Sequence, residues 1–573
     1  MRSRDQKEVE KRKKRMKLFS LIAMVFILTV VFIVILYPFP SNEKIEDRRP
    51  DNAIIYEGNH YDKAFNDYQD HLFLPFSFIK EHLDETIHYD ESSDAVIITT
   101  ENQVLRFPND EIEGYVNEEP FTFAVESFIT DGEEQFVELE QLANIYPFSF
   151  EYDENQNVLW VDKDGDEIDY GKVLDGRESK RNIRSEPDIR SPYYKTLVEG
   201  DSIRLYEQEE NGFVRMIAED GTPGFLKEDI IESTETKTIE VDDRNEDESS
   251  LSLPDEPVNL TWEAVYSNNP NPKDLPELPG VNVVSPTWFH LNNGDGDLRN
   301  LGSRSYVEWA HEEGFDVWGL FSNDFEPDRT HEALKDYESR HHMIRQLLQY
   351  SEMYDLDGIN VDFENVYLDD RDHLTQFMRE LTPFLHEAGL VVSMDITFIS
   401  SSEQWSRFYD REELDEIVDY MIVMAYDEHT ANSAVPGSVS SFPWVEQHLQ
   451  VLLDVVDHEQ LILGIPTYTR LWEEKETEDG NIEVSSTAIG MDEAKEWIAS
   501  RGIEREYDQS TGQHYVEDSS QEEGVTHKIW LEDEMSIEKR VELVEKYDLA
   551  GVASWNREFM NDEGWEVLNN ALH

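Results

Sequence analysis

From Pro257 onward, short apolar strands alternate with helical segments, the rhythm of βα units, and eight such strands precede the end of the chain. Ahead of them lie a stretch that repeats itself at a constant offset and an uncharged apolar run behind a basic tail. Together these predict a multidomain chain with an N-terminal transmembrane helix, an α+β repeat domain, a small β-barrel, and a C-terminal (β/α)8 TIM barrel carrying a small α+β insertion. The length of 573 residues agrees, being too great for one typical domain.

Composition narrows the function. Lys and Arg number 49 against 126 Asp and Glu, a net charge of −77. Such a balance argues against nucleic acid partners and against basic-patch binding to anionic membranes. Aromatic residues at 11% still mark a globular composition. There is no cysteine, which excludes disulfide frameworks, zinc–thiolate sites and thiol catalysis.

Residues 1–17 form a basic tail with nine Lys/Arg against three Asp/Glu. Residues 18–37 follow as twenty uncharged, largely apolar residues, which as a helix span about 30 Å, the thickness of the bilayer core. The basic flank is expected to stay in the cytoplasm, giving a single-pass protein of the cell membrane with its bulk outside, facing the cell wall. A cleaved signal peptide fits less well. The run is long for such a peptide, and Tyr37-Pro-Phe-Pro-Ser-Asn42 offers no small-x-small cleavage site.

Residues 50–165 hold the repeat. Phe73-Leu-Pro-Phe-Ser-Phe-Ile79, Ile87–Glu91 and Ala95–Ile98 recur 63 residues on as Phe136–Leu142, Phe150–Glu154 and Val158–Val161. Each copy reads as helix, strand, tight turn and strand, one small α+β unit made twice. His71, His82 and His88 within it are expected to be ordinary surface histidines rather than metal ligands. Residues 190–232 alternate apolar and polar positions between Gly turns, as in Ser202–Tyr206 and Gly212–Ile217, and read as the small β-barrel. Residues 233–256 are acidic and nearly free of aromatics, the mark of a solvated linker.

Residues 257–573 are the expected barrel. Its strands are placed at Leu260–Ala264, Val281–Ser285, Asp316–Phe321, Asp357–Glu364, Val391–Asp395, Tyr420–Met424, Leu461–Gly464 and Gly551–Ser554, with the insertion from Glu473 to about Val525. The fourth strand, Asp357-Gly-Ile-Asn-Val-Asp-Phe-Glu364, carries the chemistry. Ile359, Val361 and Phe363 alternate with Asn360, Asp362 and Glu364, so one face suits packing against helices and the other drives polar groups into the interior. Buried carboxyls need partners or shift their pKa, and the C-terminal mouth of a parallel barrel is where such groups act. Other candidates follow strands six, seven and eight: Tyr426 and Asp427, then Tyr468, Arg470 and Trp472, then Trp555.

The fourth strand resembles the active-site motif of glycoside hydrolase family 18, Asp-x-x-Asp-x-Asp-x-Glu, at Asp357, Asp362 and Glu364. Asn360 replaces the middle Asp, and with Asn365 after Glu364 this looks like the branch of bacterial spore-cortex and cell-wall N-acetylglucosaminidases. The repeat is similar to the stalk domain named after the amine oxidase N-terminus, and residues 190–232 look like a bacterial SH3 domain.

The family resemblance implies cleavage of β-1,4 linkages in peptidoglycan or chitin-like glycans by a retaining mechanism in which the substrate's acetamido oxygen is the nucleophile. Glu364 would be the proton donor, Asp362 would hold the acetamido N–H, and Tyr426 would bond its carbonyl oxygen. Asp357, Asn360, Asp427, Tyr468, Arg470, Trp472 and Trp555 would form the substrate-binding set, with Trp555 as the apolar floor. No cofactor or metal is implied. The rival expectation is a catalytically impaired carbohydrate-binding or wall-organising surface protein. It draws on Asn360 and on Gly319-Leu-Phe-Ser-Asn323, which lacks the Ser-x-Gly-Gly phrase of many chitinases.

Overall fold

The structure is a computed structural model that describes residues 2–36, 39–209, 211–241, 253, 256–477, 479–520 and 524–572. Most of the expected acidic linker, and Tyr37 at the end of the expected membrane span, lie outside the described residues. The N-terminal helix runs Arg2–Leu36, so it takes in the basic tail as well as the apolar run. Its segment Glu10–Ile33 is long and apolar enough to cross a membrane, and none of it is buried by protein. Apolar side chains all round a helix suit it to hydrocarbon rather than to water.

The chain divides into two compact units. The first comprises Met1–Glu85, Asn109–Ile112 and Phe123–Glu246. Here the repeat is visible as equivalent strand–helix pairs: His71–Pro75 leads into helix Phe76–His82, and Glu134–Glu138 leads into helix Leu139–Ile145. The two strands pair antiparallel, Val137 opposite Leu74. The second copy's hairpin, Phe148–Asp153 with Val158–Lys163, joins strand Ala53–Tyr56 in a four-stranded sheet. A seven-stranded antiparallel sheet follows from Glu167 to Thr238, enclosing Val173, Ile183, Leu197, Ile203, Met216 and Leu226. It starts before residue 190, and its last strand, Ile231–Thr238, occupies the beginning of the stretch expected to be linker.

The second unit comprises Thr86–Pro108, Glu113–Thr122 and Asp247–His573. Its barrel strands are β1 (Val258–Glu263), β2 (Val283–Leu291), β3 (Asp316–Ser322), β4 (Gly358–Asp362), β5 (Val391–Ile396), β6 (Tyr420–Met424), β7 (Leu461–Pro466) and β8 (Gly551–Trp555). They pair in parallel in sequence order, and β1 bonds both β2 and β8, which closes the barrel. Leu260, Trp262, Trp318, Leu320, Tyr420, Ile422, Ile462 and Ala553 fill the interior. A larger shell, including Ile359, Val361 and Phe363, packs the outer face of the strands against helices. The insertion starts earlier than the sequence suggested. Strand Tyr468–Glu476 already belongs to its five-stranded antiparallel sheet, which is joined by helix Met491–Arg501.

Within the repeat expected over 50–165, part of the first copy is grouped with the barrel's unit. Strands His88–Asp90, Ala95–Thr99, Val104–Pro108, Glu113–Val116 and Glu119–Thr122 form one sheet of this unit. Ile97 and Val104 enter the barrel's outer core. Asp90 meets Arg340 of helix α1 (Tyr337–Tyr354) at 3.0 Å, and Arg340 is held in turn by Glu380 of helix α2 (Arg371–Glu387) at 2.8 Å. All three are nearly inaccessible, at 0, 2 and 1% for Arg340, Asp90 and Glu380.

Candidate active site

The two faces of β4 separate as the alternation requires. Ile359, Val361 and Phe363 are fully buried outside the barrel wall, while Asn360 and Asp362 project inward. Asn360 is held from three sides. Its Oδ1 accepts from Trp262 Nε1 at 2.9 Å and Ser285 Oγ at 3.1 Å, and its Nδ2 donates to Asp395 Oδ1 at 2.9 Å. One step up, Asp362 keeps a buried Oδ1 with no protein partner. Such an atom is costly unless a ligand or proton serves it.

Glu364 stands just past the end of β4 and is half-buried. Its backbone is clamped by the fully buried Asn323, whose Oδ1 accepts from Glu364 N at 3.1 Å and whose Nδ2 donates to Glu364 O at 2.8 Å. Beside it Tyr409, also buried, donates its hydroxyl to Phe363 O at 2.9 Å. The loops here use unusual backbone: Asp324, Phe325, Asn365 and Asp427 all have φ between 53° and 60°. Asp and Asn tolerate the left-handed region and Phe does not readily, so the turn after β3 is paid for by its contacts. One of these is Asn365 Nδ2, which donates to Phe325 O at 2.9 Å.

Across the mouth, Tyr426 follows β6, and its ring lies 6.4 Å from that of Tyr468. Tyr468 donates to Asp427 Oδ1 at 2.6 Å, and Arg470 Nη2 reaches the same oxygen at 3.3 Å. Trp555 ends β8 half-buried, 5.9 Å from Trp262 ring to ring. Its loop is fastened by Arg557, which grips the buried Glu263 at the end of β1, Nη2 to Oε1 at 3.0 Å.

Three expected substrate contacts are corrected. Asp357 precedes β4, so a strand of five residues, roughly 17 Å, separates it from Asp362 and Glu364. There it accepts from Val317 N at 2.8 Å and pairs with His311 at 2.9 Å, fixing the start of the strand. Trp472 is 0% exposed and donates Nε1 to Gly437 O at 2.9 Å, because the strand that carries it turns into the insertion's sheet. Asn360, the third, lies beneath the mouth and acts on its neighbours' side chains. A cavity of about 380 Å³ lined by Thr99, Asn102, Arg379, His386 and Asp419 is not this site, since Asp419 and Gln460 precede β6 and β7 and place it at the opposite strand ends.

The electrostatics are those of carboxyls kept from water. Burial raises Asp362 to about 7. Glu364 is raised well above the usual carboxylate range, by burial first and then by the charges of Asp362 and Asp427. Asp395 is raised as well, by burial and by Asp362 and Glu364. The Tyr426 phenol is held neutral by burial and by the same carboxyls. A carboxyl whose pKa is raised, an open acceptor two residues before it and a buried phenol at a neighbouring strand end are groups suited to acid–base chemistry.

Sequence reading missed Asp395, Asn323, Tyr409 and the Glu263–Arg557 pair. Asp395 left a signal, since Ser393 and Asp395 are the polar positions of one face of an otherwise apolar strand. In the first unit His71, Glu138 and Glu140 bring ligand-type atoms within 4.8 Å of one another. His71 Nδ1 lies 3.3 Å from Glu138, whose other oxygen accepts from Gln141 N at 2.9 Å and caps helix Leu139–Ile145. This grouping was not visible in a sequence that separates the histidine from the glutamates.

A closed parallel barrel with acidic groups at the C-terminal end of β4 defines a class, and the family comparison agrees: residues 321–559 match the model described as glycosyl hydrolases family 18, so the chain carries a domain of that family. Residues 57–161 match the copper amine oxidase N-terminal domain. Among individual proteins, the chain is 27% identical over 283 residues to YdhD of Bacillus subtilis, named as a sporulation-specific glycosylase, covering 48% of this chain and 66% of that one. It is 24% identical over 243 residues to the cortical fragment-lytic enzyme of the same organism, covering 42% and 55%. The chain thus spans less than two thirds of either relative. The solved C-terminal domain of a Desulfitobacterium hafniense protein named as a chitinase aligns at 27% identity and a TM-score of 0.50, covering 56% of this chain and 100% of that one.

Proposed function

We propose that the protein is a glycosidase that cleaves β-1,4 linkages of N-acetylglucosamine-containing glycans, with peptidoglycan as the favoured class, by substrate-assisted retention. The observation that carries this reading is the pair on β4: a half-buried Glu364 whose pKa is raised by burial and by the Asp362 and Asp427 charges, and an inward Asp362 with an unpartnered oxygen. Glu364 donates its proton to the glycosidic oxygen as that bond breaks, and the acetamido oxygen of the same sugar attacks the anomeric carbon. Asp362 accepts the acetamido N–H and offsets the positive charge that develops, while Tyr426 donates to the acetamido oxygen and orients it. Glu364, now ionised, takes a proton from the water that attacks the anomeric carbon and displaces the acetamido oxygen from it. Trp555 supplies the apolar floor, and Asp427, braced by Tyr468 and Arg470, offers an acceptor at the rim. The names of the Bacillus relatives favour cell-wall glycan over chitin, and the unburied apolar helix favours attachment to a membrane.

Digestion of purified peptidoglycan and of chitin oligosaccharides, with products read by mass, tests the assignment. Fragments ending in reducing N-acetylglucosamine are expected from peptidoglycan. Intact substrates in both digests would refute a glycosidase.

A further inference from the structure

The barrel mouth holds three carboxyls, Asp362 on β4, Glu364 just past it and Asp395 on β5, and no cationic side chain among the described residues offsets any of them. Strands β4 and β5 pair with Asn360 opposite Ser393 and Val361 opposite Met394, so the next rung sets Asp362 beside Asp395. Both face the interior, because Val361 and Met394 take the outer shell. Asp395 is 2% exposed, and its amide neighbour Asn360, already engaged by Trp262 and Ser285, neither gains nor loses a proton near neutrality.

Two adjacent carboxyls out of water cannot both be ionised cheaply, and one proton shared between them is the economical state. We propose that Asp395 is a positioning residue that holds the proton of an Asp395–Asp362 pair, leaving Asp362 as the charged member that meets the glycan. Once Asp362 has ionised, at about pH 7, the pair carries one proton and one negative charge. The other groups facing Asp395 are Glu364, Asn360, Tyr426 and Tyr409, and burial keeps both phenols neutral, so none of them supplies a compensating positive charge. This inference rests on the glycosidase reading of the same site and adds to it a fourth strand-end residue that acts through Asp362.

The test uses the full-length protein in detergent, with Asp395→Asn and the double variant Asp395→Asn/Asn360→Asp. A lone Asp362 has no neighbour with which to share a proton, so the acid limb of the kcat/KM profile should move up by about one pH unit in Asp395→Asn. Asn360→Asp in that background restores a carboxyl beside Asp362 and should move the limb back. A residue that only supports the fold would lower the rate at every pH and leave the limb in place, which would overturn the proposal. Independently of turnover, the infrared spectrum of the wild type at about pH 9, above the ionisation of a lone Asp362, should contain a protonated-carboxyl carbonyl component that Asp395→Asn lacks; identical spectra there would also overturn it. If the wild type turns over no glycan, the glycosidase reading falls and the infrared comparison alone decides whether Asp395 holds the proton.

Discussion

Asp362 and Glu364 are kept from water without a bonded cation, and this fixes both their chemistry and their cost. Replacing Glu364 by Gln keeps shape and hydrogen bonding but removes the proton to be donated. The rate should fall by roughly 10²–10⁴-fold while glycan binding persists, as a paired turnover and binding measurement will show. Asp362 makes a second prediction. Its folded pKa, about 7, lies above its ordinary value of 3.8, so its unfavourable ionisation sets in as pH rises between those values. Asp362→Asn should therefore unfold at a higher temperature than the wild type at pH 7, and the gap should close as pH falls towards 4. A thermal midpoint series over pH checks this, and an unchanged gap would contradict the burial argument. The inward placement of these carboxyls was legible because a strand alternates with period 2. The misplacing of Asp357 has the same origin, since a motif that runs the length of a strand does not say which of its ends is the mouth.

At the scale of elements, what the sequence withheld is lateral. Asp395 bonding to Asn360, and Asn323 clamping Glu364, depend on strand register and on how β3 stands against β4, and nothing local in either segment records that. Trp472 shows the same limit: an aromatic residue after β7 suits a cleft wall until the strand is found to begin the insertion's sheet. The repeat was legible as two copies, but not the fact that the first copy's hairpin folds with the barrel. That attachment rests on Arg340, which holds Asp90 and Glu380 in a site sealed from water. Removing the cation strands two buried carboxylates, so Arg340→Ala should cost about 3–5 kcal/mol in denaturant unfolding of this unit. A cost below about 1 kcal/mol would mean that the triad is dispensable.

For the whole molecule, helix Arg2–Leu36 and the acidic chain that follows predict hydrophobic rather than ionic attachment. The full-length protein should sediment with membranes and resist high-salt washing, and release by salt alone would contradict that attachment. Both the long apolar helix and the composition were readable at once, since apolar length and charge balance need no tertiary information. The central claim is that the glycan's own acetamido group is the nucleophile, with Glu364 and Asp362 serving it. It is tested most directly by comparing turnover of one glycan with and without its N-acetyl groups, using the same enzyme preparation. The account predicts cleavage of the acetylated glycan and a rate lower by at least about 10²-fold, on the scale of one lost catalytic group, for the de-acetylated one. Equal rates on both would contradict it.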